Sequence, residues 1–539
     1  MGSRAAALRR VLATPGLRRL ELAFLGFGAA EYGVWVTVLV YAYQRGGTPT
    51  AATIAVVQLV PAAIVAPLAA RLVDRRGGAV MIRIGYVAQA GAMGLTATSV
   101  VLGAPAVVVY AGAVLAASAV TMTRPAQAAV LPGLVDQPAE LTAANVVSGW
   151  VESVSMLIGP ALAGVMIDLG GPGASIGLFA VVVCGSAVLV GGLPDATRPQ
   201  RTVVGSDAPR ADPSLVRMLG REPGLAALIA ILGLEFVAIG AVDVLVVVLA
   251  LKVLALGASG AGYLAASFGA GAVLGGVVAV SLVGGRLVAA LVGAALAWGA
   301  AFLALGAWPT VGGAFFLLAG AGACRTVLDV SGRAILQRGV PVDGLGRIFG
   351  VLEGVAMIGL AVGSISVPVL VAIGGAAAPL VGLGALLVVG VLAAASALTP
   401  LERGAPAVEV ELALLRGSPI FGMLAPPVLE GLARALIARS VTPGEVVVRE
   451  GDAGNHYYLV GDGDLAVSLG GREVGRLGPG DGFGELALLD GGIRKATVAA
   501  RGSATIYALA REPFLEAVTR SHHARQAAER LVGEFKPDP

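Results

Sequence analysis

Apolar and polar positions follow two different rhythms along this chain. Up to about residue 400, apolar residues run almost unbroken for 20 or more positions at a time, and a membrane-crossing helix needs about 20 such residues. Twelve runs meet that length: 20–43, 51–73, 79–103, 105–131, 141–168, 172–193, 224–251, 258–284, 286–307, 310–336, 345–373 and 377–400. Gly46-Gly47, Gly77-Gly78, Gly170-Gly171-Pro172 and Gly374-Gly375 mark tight turns between runs. The longest break, Pro194 to Pro223, carries Pro199, Pro209 and Pro213 as well and divides the runs six and six.

Helical spacing returns over 408–415 and from Pro427 to Ala438. After Ser440 the period shortens to two. Val441, Val446 to Val448, Tyr457 to Val460, Leu465 to Val467, Thr497 to Ala499 and Thr505 to Leu509 read as short strands. Pro443-Gly444, Asp462-Gly463, Gly470-Gly471 and Pro479-Gly480-Asp481 read as the turns between them. Evenly spaced short strands predict a small β-barrel or jelly roll, and helix spacing resumes from Glu512 to Phe535. The expected fold is an all-α polytopic membrane domain, twelve helices in a 6+6 pseudo-repeat, followed by an α/β-roll: a β jelly-roll with flanking helices. The expected domains are 1–400, with halves 17–193 and 224–400 around a central loop 194–223, then a linker and coupling helix 401–415, then 416–539.

Composition sharpens the boundary. Of 539 residues, 57% are apolar and only 13% charged. Positions 1–400 hold 38 charged residues and 401–539 hold 33, so only the second stretch resembles a soluble domain. Basic residues flank cytoplasmic ends of membrane helices. Arg71, Arg75 and Arg76 precede the third run, Arg198, Arg201, Arg210, Arg217 and Arg221 fill the central loop, and Arg338 and Arg347 flank the start of the eleventh. The opposite loops offer Arg45 and Lys252. An even helix count then puts both termini in the cytoplasm of a cell with this chain in its plasma or inner membrane. The N-terminal arginines, Arg4 to Arg19, lead into an apolar run of full membrane length, which predicts an uncleaved first helix. A net charge of +3 without a basic, aromatic-interleaved stretch excludes a nucleic-acid partner. Cys184 and Cys324 lie in apolar runs and read as buried thiols. No nucleophile–base set stands out, so no enzyme and no metal cofactor are expected.

Ionisable groups inside a bilayer cost about 2.5–3.5 kcal/mol each on insertion scales, so each invites a function. Glu31, Arg83, Arg124, Glu152, Glu235, Asp243, Arg325, Asp329 and Glu353 fall inside the runs. Arg83 and Arg325 either act there or snorkel, and Arg325 and Asp329 stand four apart, close enough to pair with each other. Glu31, Glu235 and Asp243 are the first candidates for proton coupling, with Arg124 and Asp329 beside them. The alternative is a structural hydrogen bond at each. The first run reads Ala30-Glu31-Tyr32 and the seventh Leu234-Glu235-Phe236, a carboxylate then an aromatic in each half. Two related six-helix halves are what alternating access requires.

Ala70-Arg71-Leu72-Val73-Asp74-Arg75-Arg76-Gly77 resembles the cytoplasmic hairpin signature of the major facilitator superfamily, with Asp74, Arg75 and Gly77 in place and Ala70 for the usual glycine. Gly159-Pro160-Ala161-Leu162-Ala163-Gly164 is similar to the Gly-Pro motif of its drug-exporting branch, and the glycines of 259–276 are similar to its eighth helix. The resemblance implies a secondary transporter of a small molecule. Asp74 would form a charged latch, and Pro160 would permit a bend or serve packing alone.

The C-terminal stretch resembles the cyclic-nucleotide-binding domain over about 416–530. Glu450 to Tyr458 and Gly463 to Val467 match its early hairpins, and Phe483-Gly484-Glu485-Leu486 with Arg494-Lys495-Ala496 matches its phosphate cassette. A cyclic phosphodiester needs a guanidinium, which Arg494 supplies. It also needs close backbone N–H groups, which Gly484 permits. The resemblance makes Glu485 the acceptor for the ribose 2′-OH and Leu486 an apolar wall. Ile493 replaces the usual proline, and Lys495 stands where a small or hydroxyl residue is common. The base is therefore open between cyclic AMP and cyclic GMP, with the adenine nucleotide the default. His522-His523 reads as a solvated helix start rather than a metal site. The expected partners are a lipid bilayer, a small-molecule substrate and a regulatory cyclic nucleotide. The alternatives are a nucleotide-sensing receptor without transport, or a transporter with a structural tail.

Overall fold

The computed structural model describes residues 14–135, 138–193, 222–281, 287–339, 342–403, 409–422, 424, 426–489 and 492–520. His522-His523, the central loop 194–221 and the last helix beyond Arg520 lie outside them. The chain forms two compact units, Met1–Gly404 and Ala405–Pro539.

The first unit is helical: α1 (Pro15–Arg76), α2 (Gly78–Val101), α3 (Ala106–Val130), α4 (Pro138–Leu189), α5 (Pro223–Val248), α6 (Gly257–Ser281), α7 (Leu287–Ala307), α8 (Val311–Gly339), α9 (Val342–Gly374) and α10 (Ala378–Arg403). Among the described residues, ten stretches are long and apolar enough to cross a membrane. The helices α1 and α4 each span a pair of the expected runs. Within α1 the backbone leaves helical angles at Gly46 and Gly47, and within α4 at Gly171. Gly47 and Gly171 sit at φ +66° and +74°, where any side chain is strained. Pro160 lies inside α4, and the backbone keeps helical angles there.

Each half has its own apolar core. Leu20, Phe27, Tyr86 and Phe179 are buried in the first, and Leu232, Leu245, Trp298 and Phe302 in the second. The halves meet most closely along α4 and α6, backbone against backbone. A Cβ on Gly262 would lie 2.5 Å from the Pro160 carbonyl oxygen, and one on Gly164 would lie 2.9 Å from that of Ser259. Gly269 faces the Met156 carbonyl in the same way. Small residues allow this approach, and packing drives helix association in lipid. Tyr263 closes the end of the seam by donating to Asp168 at 3.3 Å. Further along, at the other end of the bundle, Gly149 and Gly276 face open space. Cys184 is exposed, contrary to the buried thiol expected of it; it shares an outward face of α4 with Val181 and Val188.

The second unit begins with α11 (Glu409–Gly417) and α12 (Pro426–Ala435), then strands β1 (Ile437–Val441), β2 (Val446–Val448), β3 (His456–Asp462), β4 (Leu465–Leu469), β5 (Arg472–Leu477) and β6 (Gly482–Phe483), helix α13 (Glu485–Leu489), strands β7 (Thr497–Ala500) and β8 (Ala504–Ala510), and α14 (Arg511–Arg520). Two antiparallel sheets form, ordered β1-β8-β3-β6 and β2-β7-β4-β5. β3 shows why they stack. Its alternate residues Tyr458 and Val460 enter the core between the sheets, while Tyr457 and Leu459 pack under α11, α12 and α14 with Phe421 and Phe514. Both faces of the strand are thus covered. Gly470 and Gly471 have φ of +53° and +83° and join β4 to β5 in a two-residue hairpin loop, the primed turn that matches strand twist. The helix expected to reach Ala438 stops at Ala435, because Ile437 and Ala438 pair with β8 instead.

Candidate functional site

The two segments expected to form a phosphate cassette come together through backbone hydrogen bonds. Gly451 N–H donates to the Arg494 carbonyl at 2.9 Å, Arg494 N–H to Asp452 at 2.8 Å, and Gly454 N–H to Gly492 at 2.8 Å. This zipper carries the Arg494 side chain inward, where the residue is only 6% exposed. Its Nη2 donates to the His456 carbonyl at 2.7 Å and its Nη1 to the Gly484 carbonyl at 3.1 Å. The guanidinium also lies 5.5 Å above the Tyr458 ring, which stacks on Phe483. Guanidinium groups carry five N–H donors, so two carbonyl bonds leave capacity for an anion.

Gly484 has φ +94°, and a Cβ there would run into the guanidinium. Glycine is therefore required twice over, by the backbone and by the space. The chain then enters α13 at Glu485. One Glu485 carboxylate oxygen is buried without a hydrogen-bond partner. Burial raises the Glu485 pKa above the ordinary carboxylate value, against opposing effects of its own backbone N–H and Arg494. Burial also lowers the proton affinity of Arg494, which Tyr458 and Glu485 partly restore. A buried cation beside a carboxylate with an unsatisfied oxygen is suited to a ligand bearing one anionic group and one hydroxyl. Leu486 and Ala496 are half-buried and Lys495 is exposed. Nothing in the sequence pattern singled out the His456 carbonyl, Gly454 or the Tyr458 ring as parts of this site.

In the membrane unit, three expected residues come together with a fourth. Arg124 on α3 donates Nη2 to Glu31 on α1 at 3.0 Å and Nη1 to Glu152 on α4 at 3.0 Å. Tyr32 donates to the same Glu152 at 3.4 Å. In the other half, Glu235 on α5 is fully buried and faces Arg325 on α8 at 3.4 Å. Arg325 therefore does not pair with Asp329: that carboxylate binds Arg333 at 2.7 Å, one turn further on. Asp243 stands beside Trp35 of α1. The Asp74 side chain, like that of Arg71, lies outside the described residues; Arg75 is exposed, and Gly77 has φ +84° as α1 ends. Gly159 packs against the Ala29 carbonyl of α1, so the glycine of the Gly-Pro motif allows close approach of two helices.

Comparison with known proteins adds to this geometry. A family profile for the Major Facilitator Superfamily matches residues 20–319, and one for the cyclic nucleotide-binding domain matches residues 438–521. The chain is 39% identical over 92 residues to a cGMP-dependent protein kinase of Toxoplasma gondii, covering 17% of this chain and 9% of that protein. It is 38% identical over 112 residues to the cyclic AMP receptor protein of Thermus thermophilus, covering 20% and 51%. It is 38% identical over 96 residues to a cyclic nucleotide-gated potassium channel of Mesorhizobium japonicum, covering 18% and 26%. The match thus spans about half the length of one of these relatives and far less of the others. This chain belongs to the Major Facilitator Superfamily and carries a cyclic nucleotide-binding domain after its membrane helices.

Proposed function

We propose that this protein is a secondary active transporter that exports a small molecule in exchange for protons, and that a cyclic nucleotide bound to its C-terminal domain tunes the cycle. The cassette carries the regulatory half of this reading: a buried Arg494 and a partly satisfied Glu485 meet at Gly484. The phosphate takes the open donors of Arg494, and the ribose 2′-OH donates to Glu485. Cyclic AMP is the preferred ligand. Relatives named for cyclic AMP and for cGMP both match, so the base is tested directly by calorimetric titration of the full chain with each. Glu485→Gln is expected to weaken cyclic AMP binding about 10- to 100-fold, as loss of a charged hydrogen bond does. It should leave 2′-deoxy cyclic AMP nearly unaffected; equal losses for both ligands would remove Glu485 from the ribose.

Basic loops orient the membrane unit with both termini in the cytoplasm. The end closed by Asp168 and Tyr263 then faces outward. Substrate enters from the cytoplasm and meets the charged centre of Glu31, Arg124, Glu152 and Glu235. Glu31, Glu235 and Asp243 are the proton-carrying carboxylates, Asp329 and Arg124 their neighbours, and Asp74 with Arg75 latches the cytoplasmic side in the opposite state. In proteoliposomes with an imposed pH gradient, a panel of amphipathic dyes should show proton-driven movement that Arg124→Gln reduces at least about tenfold, since it strands two carboxylates. Movement unaffected by the gradient would reject proton coupling.

A further inference from the structure

The two halves carry related sets of charges. Arg124 and Glu152 stand 28 residues apart, and so do Arg325 and Glu353. Glu31 precedes Arg124 by 93 residues, and Glu235 precedes Arg325 by 90. Around the later acid the halves read Glu152-Ser153-Val154-Ser155-Met156 and Glu353-Gly354-Val355-Ala356-Met357. The Glu–Arg–Glu set on α1, α3 and α4 thus has a counterpart on α5, α8 and α9.

The two sets are in different states. In the first, Arg124 bridges both carboxylates at 3.0 Å. In the second, Glu353 is exposed and acts on Arg333. Glu235 is fully buried, and neither of its oxygens is hydrogen-bonded. The charged groups acting on it are Arg325, Asp329 and Arg333, all on α8. Arg325 Nε lies 3.4 Å from it without hydrogen-bond geometry. The same guanidinium reaches the other half, where Nη1 lies 3.8 Å from Met156 Sδ. Met156 is one helical turn from Glu152, and Arg325 acts electrostatically on Glu152 and on Tyr32.

A carboxylate buried without donors is held by a cation or neutralised by a proton. We propose that Arg325 is a positioning residue that moves between two carboxylates, Glu235 in its own half and Glu152 in the other, and so decides when Glu235 carries a proton. This rests on the reading of a proton-coupled transporter. When the guanidinium closes on Glu235, the carboxyl proton passes to cavity water and the carboxylate remains as an ion pair. When the guanidinium turns to Glu152, Glu235 takes a proton back from the cavity. Arg124 competes for Glu152, which links the two sets.

The test is infrared titration of the full chain in lipid nanodiscs. The protonated carboxyl band of Glu235 is identified by its loss in E235Q. With R325Q, half-occupancy should require at least about tenfold less proton, one pH unit, because the competing cation is gone. With E152Q, it should require about tenfold more, because Arg325 has lost its other partner. At the effective dielectric of about 20 that suits buried sites, a spectator charge about 10 Å away shifts proton affinity by about tenfold as well. E152Q is therefore repeated in the R325Q background, where its shift should vanish because the moving cation is gone. An E152Q shift that persists there, or no shift with R325Q alone, overturns the proposal. No substrate is needed. Both shifts in a protein that moves no cargo would sink the transport reading and keep this one; proton-driven transport without the shifts would do the reverse.

Discussion

Arg494→Ala is expected to abolish cyclic nucleotide binding, weakening it by at least about 100-fold, because the loss of one member of a buried charge pair in an interface costs about 2–5 kcal/mol. Two effects add. The ligand loses its guanidinium, and the carbonyls of His456 and Gly484 lose their donors. The second effect also loosens the unliganded pocket, so the variant's C-terminal unit should melt earlier. Arg494→Lys separates the two. A lysine keeps the charge but not the planar fork, so it should recover part of the binding while leaving one carbonyl unserved. Calorimetry reads the affinity and differential scanning reads the melting. Wild-type affinity in Arg494→Ala would move the phosphate site away from this arginine.

Gly262→Leu should have the largest effect in the membrane unit. A Cβ at this position would sit 2.5 Å from the Pro160 carbonyl oxygen and 2.6 Å from the Gly164 nitrogen. Both are backbone atoms and cannot rotate aside, so α4 and α6 must separate. Overpacking costs about 1–3 kcal/mol, which alters the ratio of two conformations about 5- to 150-fold. The end of the bundle near Gly171 and Gly257 should spread, and spin labels on those two turns should report longer distances. Gly276→Leu is the control, since nothing lies within 4 Å of its Cβ position. Equal effects from the two would mean that lipid contact, not the seam, governs the response.

Most helix ends and the glycine turns at Gly46-Gly47 and Gly171 were legible because membrane length and glycine punctuation act locally. The sequence also showed that Glu31 and Glu235 are related. It could not show that Glu31, Arg124 and Glu152 meet, because they come from three helices and helical period names a face without naming the neighbour. The Arg325–Asp329 pairing looked equally good on spacing; Asp329 instead takes Arg333, which stands four residues further along α8. In the second unit, Gly484, Glu485 and Arg494 were legible as a motif. Their anchors were not, since two of them are backbone carbonyls and carry no side-chain signature. β5 was missed for another reason: Arg472 to Leu477 is a largely exposed strand at the sheet edge, without the alternation that a buried face imposes. Tyr458 was visible only as a strand residue, and its stack with Phe483 below Arg494 arises from pairing between β3 and β6.

The central claim is that nucleotide binding alters the transport cycle, and the most direct measurement needs no substrate. Spin labels on the turns at Gly171 and Gly257 of the full chain in nanodiscs report whether the seam between α4 and α6 is closed. Allosteric couplings are typically about 1–3 kcal/mol. Saturating cyclic AMP should therefore change the ratio of short to long distances by about fivefold or more in the wild type, and should change nothing in Arg494→Ala. An unchanged distribution in wild-type protein with nucleotide shown to be bound would contradict the account.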